Sequence, residues 1–537
     1  MLSSAHRHRA YTSAQQAVAM AGVQEARDGD VHGSRGPHLQ PRSAARVLVF
    51  PLPFQGHIDP MLHLAGVLHS RGLAVTVLHT RFNALDPARY PEFQFVAVAD
   101  GTPADVVATG RIIDIILAMN AAMEASSAVE EALASAVLAD ESHSSSHPRA
   151  ACLFIDANLL AVHMAARKIG LPTLVLRTGS AACFGCFLAY PMLHDKGYLP
   201  PRESEVCTPV PELPPLRVKD LVYSKHSDHE LVRRVLARAS ETVRGCSGLV
   251  INTFEALEAA EIGRLRDELA ADDLPVILAA GPLHKLSSNN SSRSSLLAPD
   301  RSCIEWLDAQ RSRSVLYVSF GSMAAMDWSE FLEVAWGLAE SGHPFLWVVR
   351  PNQVRGCDGG DSVRRRLPDG VEDAVKAGRG MVVRWAPQQE VLGHRAVGGF
   401  WSHCGWNSTL EAISEGVPMI CRPDAVDQMM NTRVNFYLRA MASEGSSYEN
   451  QYFNLTPLLD NLMATMPDDP TYNMAASTVS TIPSTNVATA TISATCLNAL
   501  LPLFNPLLSD PRATPYLRHS TASLRPYRAS ASRFAPI

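Results

Sequence analysis

The segment ARVLVFPLPFQGHIDPMLHLAGVLHSRGLAVTVLHT, Ala45 to Thr80, decides the fold class. ARVLVFPLP is an unbroken apolar run of strand length. PMLHLAGVLHSRG has the apolar spacing of an amphipathic helix and a glycine stop. LAVTVLHT is apolar again. A strand, a helix and a second strand in succession predict a parallel pair covered on its faces by helices. The rhythm continues outward through FQFVAVAD, ACLFIDA, NLLAVHMAARKIG, LPTLVLRT, SGLVINTF, EALEAAEIGRLRDELA and PVILAAGPL. HKLSSNNSSRSSLLAPD, residues 284–300, is polar and Ser/Asn-rich, and reads as a linker. The alternation then restarts with SVLYVSFGS, DWSEFLEVAWGLAESG, PFLWVVR, GMVVRWAP, VGGFWS, NSTLEAISEG and VPMICRP. Two α/β units thus flank a linker, and a ligand is expected between them at the carboxyl ends of strands.

The flanks differ in character. Residues 1–44 lack the apolar segment of a secretory signal and are expected to form a disordered leader. Residues 434–537 contain no lysine and a single glycine, Gly445, and show no strand–helix alternation. They read as a low-complexity tail.

Composition excludes several classes. The 537 residues are 47% hydrophobic and 19% charged, with a net charge of −6, so nothing points to nucleic acid. No run of ~18 uncharged apolar residues predicts a membrane span. Ten scattered cysteines fit a reducing cytoplasm better than a disulfide scaffold. The CxxC of AACFGCFLAY, Cys183 and Cys186, reads as two small apolar residues on a buried helix, since no second pair accompanies it.

WSHCGWNSTLEA, Trp401 to Ala412, places a histidine, a glycine and small polar residues at a helix start. The first turn of a helix carries unpaired N–H groups and partial positive charge, which suits a phosphate. Each residue also has an ordinary alternative. Asn407 and Ser408 alone could be helix caps, Trp385 a core residue and Glu411 a solvated helix residue.

Joint spacing settles between these. WAPQQEVLGH, WSHCGWNSTLEA and GVPMICRPDAVDQ, from Trp385 to Gln428, together resemble the signature box of plant secondary-product UDP-glycosyltransferases. That box runs W-x-P-Q, L-x-H, H-x-G-W-N-S-x-x-E, G-V-P and D/E-Q. The resemblance implies the GT-B fold: α/β, two facing Rossmann-like domains with parallel sheets. An acceptor-binding domain would span 45–283 and a UDP-sugar-binding domain 301–433. The pattern of the family's last strands and helices is not found after Arg433, so the second domain reads as truncated.

Residue by residue, the resemblance implies that Trp385 stacks on uracil and Ala386 presents its backbone to the uracil edge. Gln388 and Glu411 hold ribose hydroxyls. His403, Asn407 and Ser408 face the diphosphate, with Ser322 opposite. Asp427 and Gln428 bind sugar hydroxyls, and Trp406 lies near the sugar through its backbone. Gln in the last place favours glucose. His57, in PFQGHIDP after the first strand, matches the family's base; Asp156, in FIDANLL, matches its orienting aspartate. Alone, Asp156 could instead cap the following helix. His394 and His63 read as structural.

The implied reaction is transfer of glucose from UDP-glucose to a hydroxyl of a small lipophilic plant metabolite, with inversion. PFQGHIDPMLHLAGVLHSRG is similar to grass enzymes acting on benzoxazinoids and to relatives acting on flavonoids or hormones. No metal or other cofactor is implied. Asp28 and Asp30 mimic the metal motif of the other glycosyltransferase fold but lie in the leader. A monomer is expected. The altered tail keeps open a second class, a UDP-sugar-binding protein without catalysis. A nicotinamide enzyme is disfavoured because no G-x-G-x-x-G follows the first strand.

Overall fold

The computed structural model describes residues 45–437 apart from 139–149, 224–227, 271, 273–275, 288–290, 358–365 and 425. The leader, the Asp28–Asp30 pair and the tail beyond Tyr437 lie outside the described residues.

Twelve strands are named in chain order: β1 Arg46–Phe50, β2 Ala74–Thr80, β3 Gln94–Val98, β4 Ala150–Asp156, β5 Thr173–Arg177, β6 Gly248–Ile251, β7 Ile277–Ala279, β8 Val315–Ser319, β9 Phe345–Val348, β10 Gly380–Val383, β11 Val397–Ser402 and β12 Met419–Cys421. They form two sheets with the orders β3-β2-β1-β4-β5-β6-β7 and β10-β9-β8-β11-β12. Every pairing within them is parallel.

The apolar runs are continuous because both faces of each sheet are covered. Alternate residues of β1 enter opposite cores: Leu48 and Phe50 one, Val47 and Val49 the other. In β8, Leu316 and Val318 face away from Val315 and Tyr317 in the same manner. Side chains alternate across a strand with period two, so an amphipathic pattern would have left one face polar.

The strand order reverses twice, between β1 and β4 and between β8 and β11. Chains leaving neighbouring strands at such a point diverge to opposite faces and open a crevice at the carboxyl ends. His57 follows β1 and Asp156 ends β4; Ser322 and His403 follow β8 and β11.

Four local features differ from the sequence reading. Helix α1, Gln55–Ser70, starts earlier than PMLHLAGVLHSRG and runs through Pro60, so His57 lies in its first turn and not in a preceding loop. The described parts of the 284–300 linker are not free. Short helices at Leu283–Leu286 and Ser291–Ser294 dock on α1, where Gln55 Nε2 donates to Ser294 O at 3.2 Å and its Oε1 accepts from Leu296 N at 2.7 Å. Helices at Ala104–Ala108, Ile112–Glu124 and Ala128–Leu138 have no counterpart in the alternation read above. Finally, Gln428–Tyr437 forms a helix that continues past Arg433. Its Met430 enters the core of the first sheet and its Asn431 accepts from Ser180 Oγ at 3.2 Å.

Cys183 and Cys186 are buried on helix α2, Ala181–Asp195, and burial pushes both thiols up, Cys186 to about 12. They behave as apolar packing. No single described helix is long and apolar enough to cross a membrane.

Candidate active site

At the β1/β4 crevice, His57 Nδ1 lies 2.6 Å from Asp156 Oδ2, although the two are far apart in sequence. The carboxylate can only accept, so Nδ1 carries a proton, and in the neutral ring this tautomer leaves the lone pair on Nε2. Thr178 Oγ1 stands 3.0 Å from the same Nδ1. Asp156 is 1% exposed. Burial alone would raise its pKa. The charge and hydrogen bond of His57, the N–H of Asn158 and the charge of Arg177 outweigh burial and hold it below the usual carboxylate range.

Asp156 does not cap the next helix, which begins at Leu160 behind the cap residue Leu159. Its Oδ1 instead accepts from the backbone N and the Nδ2 of Asn158, both at 2.9 Å. Asn158 O in turn accepts from Asn120 Nδ2 at 2.9 Å, and Asn120 Oδ1 accepts from Ala161 N at 3.1 Å. Sequence reasoning missed Asn120, Asn158 and Thr178. Asn158 stands inside FIDANLL, two residues from Asp156, and that nearness was the available signal; Asn120 carried none.

The second crevice ends in helix α6, where intervening helices are α3 His229–Gly245, α4 Glu255–Ala270 and α5 Trp328–Glu340, and α6 itself is Trp406–Glu415. Its N-cap is Gly405, with no side-chain cap, so Asn407 and Ser408 lie inside the first turn and are not caps. The first N–H groups of such a helix have no partner within it. His403 sits against this turn. A Cβ on Gly321, whose φ is +72°, would stand 2.2 Å from His403 Nε2, and one on Gly405 would stand 2.6 Å from it. Only glycines admit the ring there. His403 Nδ1 has no hydrogen-bond partner among the described residues. Burial, then the charges of Arg350 and Arg422, lower its pKa to about 4, so the ring is neutral at pH 7.

Around the same turn, Gln388 Nε2 donates to Ser408 Oγ at 2.9 Å and to Glu411 Oε2 at 2.7 Å, and Tyr317 OH donates to Gln388 Oε1 at 3.2 Å. Gln389 Nε2 donates to Glu411 Oε1 at 2.9 Å. Burial raises the Glu411 carboxyl, and these amides oppose it. Asp427 Oδ2 accepts from Asn431 Nδ2 at 2.8 Å; burial raises Asp427, while Asn431, Arg177 and His57 pull it down. Gln428 Oε1 accepts from Asp424 N at 2.8 Å.

The crevices open into one cavity of about 540 Å³. His57, Ser322, Trp385, Ala386, Gln388, His403, Trp406, Asn407, Ser408, Glu411, Asp427 and Gln428 all line it, and Asp156 stands behind His57. Phe54, Ile112, Ile116, Phe187, Leu231 and Val235 add apolar side chains to its lining. His394 stays outside. Its Nε2 lies 3.2 Å from Asp308 Oδ1, and its Nδ1 accepts from Ala396 N.

Hydrogen bonds tie the elements of the two sheets together at the cavity. Trp406 Nε1 donates to Asn252 O at 2.7 Å, and Asn407 Nδ2 donates to Gly56 O at 2.8 Å. The second has a backbone origin. Pro60 has no N–H to return to the carbonyl four residues before it, so Gly56 O is available inside α1.

Comparison with known proteins agrees with this geometry. A family model described as UDP-glucoronosyl and UDP-glucosyl transferase matches residues 248–486, past Arg433 where the sequence reading placed the end of the resemblance. The chain is 47% identical over 422 residues to DIMBOA UDP-glucosyltransferase BX8 of Zea mays, covering 78% of this chain and 89% of that protein. It is 38% identical over 420 residues to UDP-glycosyltransferase 76B1 of Arabidopsis thaliana, covering 78% and 88%. Phytolacca americana UGT2, complexed with UDP-2fluoro-glucose and pterostilbene, superposes with a TM-score of 0.67 at 27% identity, covering 84% of this chain and 99% of that one. With two facing parallel sheets of GT-B type and relatives at this level of identity, the chain belongs to the plant UDP-glycosyltransferases.

Proposed function

We propose that this glycosyltransferase moves glucose from UDP-glucose to a hydroxyl of a small lipophilic metabolite, with inversion at the anomeric carbon. The observation that carries the reading is the His57–Asp156 pair at one crevice, across a shared cavity from a helix start at the other. His57 Nε2 takes the acceptor proton as the acceptor oxygen attacks, and Asp156 stabilises the imidazolium that forms. UDP departs toward the first turn of α6, where His403 and Ser322 stand, and neutral donors there meet the charge of the leaving diphosphate.

Trp385 and Ala386 take the uracil, Gln388 and Glu411 the ribose, His403, Asn407 and Ser408 the diphosphate, and Asp427 and Gln428 the sugar, with Trp406 beside it. On this reading residues 45–283 hold the acceptor and 301–433 the donor. The cavity's apolar lining supports a lipophilic acceptor. Relatives named for DIMBOA support a benzoxazinoid over a flavonoid. A cytoplasmic location accords with nine free cysteines among the described residues.

UDP release from UDP-glucose by the full-length chain tests this, with DIMBOA, flavonols and phenolic acids as acceptors, with and without EDTA. Acceptor-dependent release unchanged by EDTA is expected, greatest with DIMBOA. Folded protein that binds UDP but releases none with any acceptor would replace this reading by the non-catalytic one.

A further inference from the structure

Arg350 follows β9 and is 5% exposed. Its guanidinium makes three donations, all to backbone carbonyls: Nε to Gly321 O at 2.8 Å, Nη1 to Pro351 O at 3.1 Å, and Nη2 to Ala324 O. Its own N–H donates to Gln353 Oε1 at 3.1 Å. No carboxylate pairs with it among the described residues. Burial alone shifts its ionisation, down to about 10.

Two other arginines of this domain are neutralised. Arg422 pairs with Glu330 at 3.2 Å and lies 5.4 Å over the Phe320 ring; Arg355 pairs with Asp327 at 2.9 Å. Carbonyls satisfy the hydrogen bonds of Arg350 but leave its charge uncompensated in a place where water does not screen it. The carbonyls it holds belong to Gly321 and Ala324, the two ends of the turn carrying Ser322 and Met323, and this whole turn lines the cavity. Its charge also reaches His403 in the cavity wall.

We propose that Arg350 is a positioning residue for the donor's diphosphate: it pins the Gly321–Ala324 turn at both ends and holds beneath it a positive charge that only the phosphate oxygens complete. The inference rests on the donor reading given above. It concerns a residue outside the signature box that does not touch the cavity.

Calorimetric affinities of the full-length chain for UDP and for uridine test it. Arg350→Gln should weaken UDP about tenfold or more while uridine stays within about twofold, because only the phosphates feel the charge. In the same variant the His403 pKa, followed by imidazole NMR, should rise. Looser packing would also raise it by admitting water, so the discriminating control is Arg350→Lys, which keeps the charge and should leave the His403 pKa unchanged. Arg350→Lys keeps the charge and should keep the preference for UDP over uridine within about threefold of the unaltered protein. Equal losses of UDP and uridine, an unchanged UDP affinity, or a lysine variant as impaired in preference as the glutamine one would each overturn the proposal. Should Arg350→Gln not fold, the lysine variant decides by the same criterion. If the unaltered protein binds no UDP, the donor reading falls and this inference falls with it. If it binds UDP and the preference survives Arg350→Gln, only the role of Arg350 falls.

Discussion

The β1/β4 crevice holds a chain of polar groups that satisfy one another: His57 on Asp156, Asp156 on Asn158, Asn158 on Asn120, Asn120 on Ala161. The β8/β11 crevice is built otherwise. His403 Nδ1 lacks a partner among the described residues, Arg350 lacks a counter-charge, and the helix start offers its first N–H groups. A base must keep its tautomer and direction before any substrate arrives, so its supports lie within the protein. A site for an anion must leave donors and positive charge to be completed by that anion. On the function proposed above, the two crevices differ in where each half of the reaction is preorganised.

That contrast can be broken most decisively at the base. His57→Ala should lower turnover by about 10³-fold or more while UDP affinity stays within about twofold, read by UDP release and calorimetry. Comparable losses in both would mean that the crevices are not separable. Asp156→Asn should cost roughly 10²-fold in kcat with little change in donor KM, since the amide reverses the hydrogen bond and selects the wrong tautomer. A variant with normal kcat would remove the orienting role.

Asn407→Ala sharpens the comparison at the seam. It deletes the bond to Gly56 O, and with it a link between α6 and the first turn of the base's helix. A fall of about three- to tenfold in kcat is expected, with a melting temperature shift of a few degrees. Gln428→His should shift donor preference from UDP-glucose toward UDP-galactose by a few-fold; an unchanged ratio would take Gln428 out of sugar selection.

The smallest effect at neutral pH is expected at His63. Burial lowers this histidine to about 4, and burial together with the charges of His63 and Lys285 lowers His284 to about 3. Each ring is neutral in the fold and takes up a proton in the unfolded chain below its ordinary value of 6.5. Their contribution is complete above pH 6.5 and is lost as pH falls toward about 4, by up to roughly 3 kcal/mol for His63. His63→Leu should flatten the decline of melting temperature over that window. A decline as steep as in the unaltered protein would assign acid lability elsewhere.

Much of this was legible because it is local. Runs such as RVLVF and VLYVS announce buried strands by themselves, and the order of strands and helices implies parallel sheets. The box from Trp385 to Gln428 is legible because its residues lie in one continuous segment, after β10, β11 and β12 and in the first turns of α6. Asn120, Thr178 and Arg350 were not legible. They belong to separate segments, and nothing in their neighbourhoods distinguishes them from ordinary polar residues.

By itself, then, the sequence determined the α/β class, the two sheets, the donor-side motif and the identity of the candidate base, since each depends on residues near one another along the chain. Only the tertiary structure decided that His57 lies within a helix, that Asp156 reaches it at 2.6 Å, that the helices at Leu283–Leu286 and Ser291–Ser294 dock on α1 and that Arg350 stands without a counter-charge among the described residues. These follow from which strands become neighbours at the switch points and from how the sheets close on each other, and long-range packing sets both.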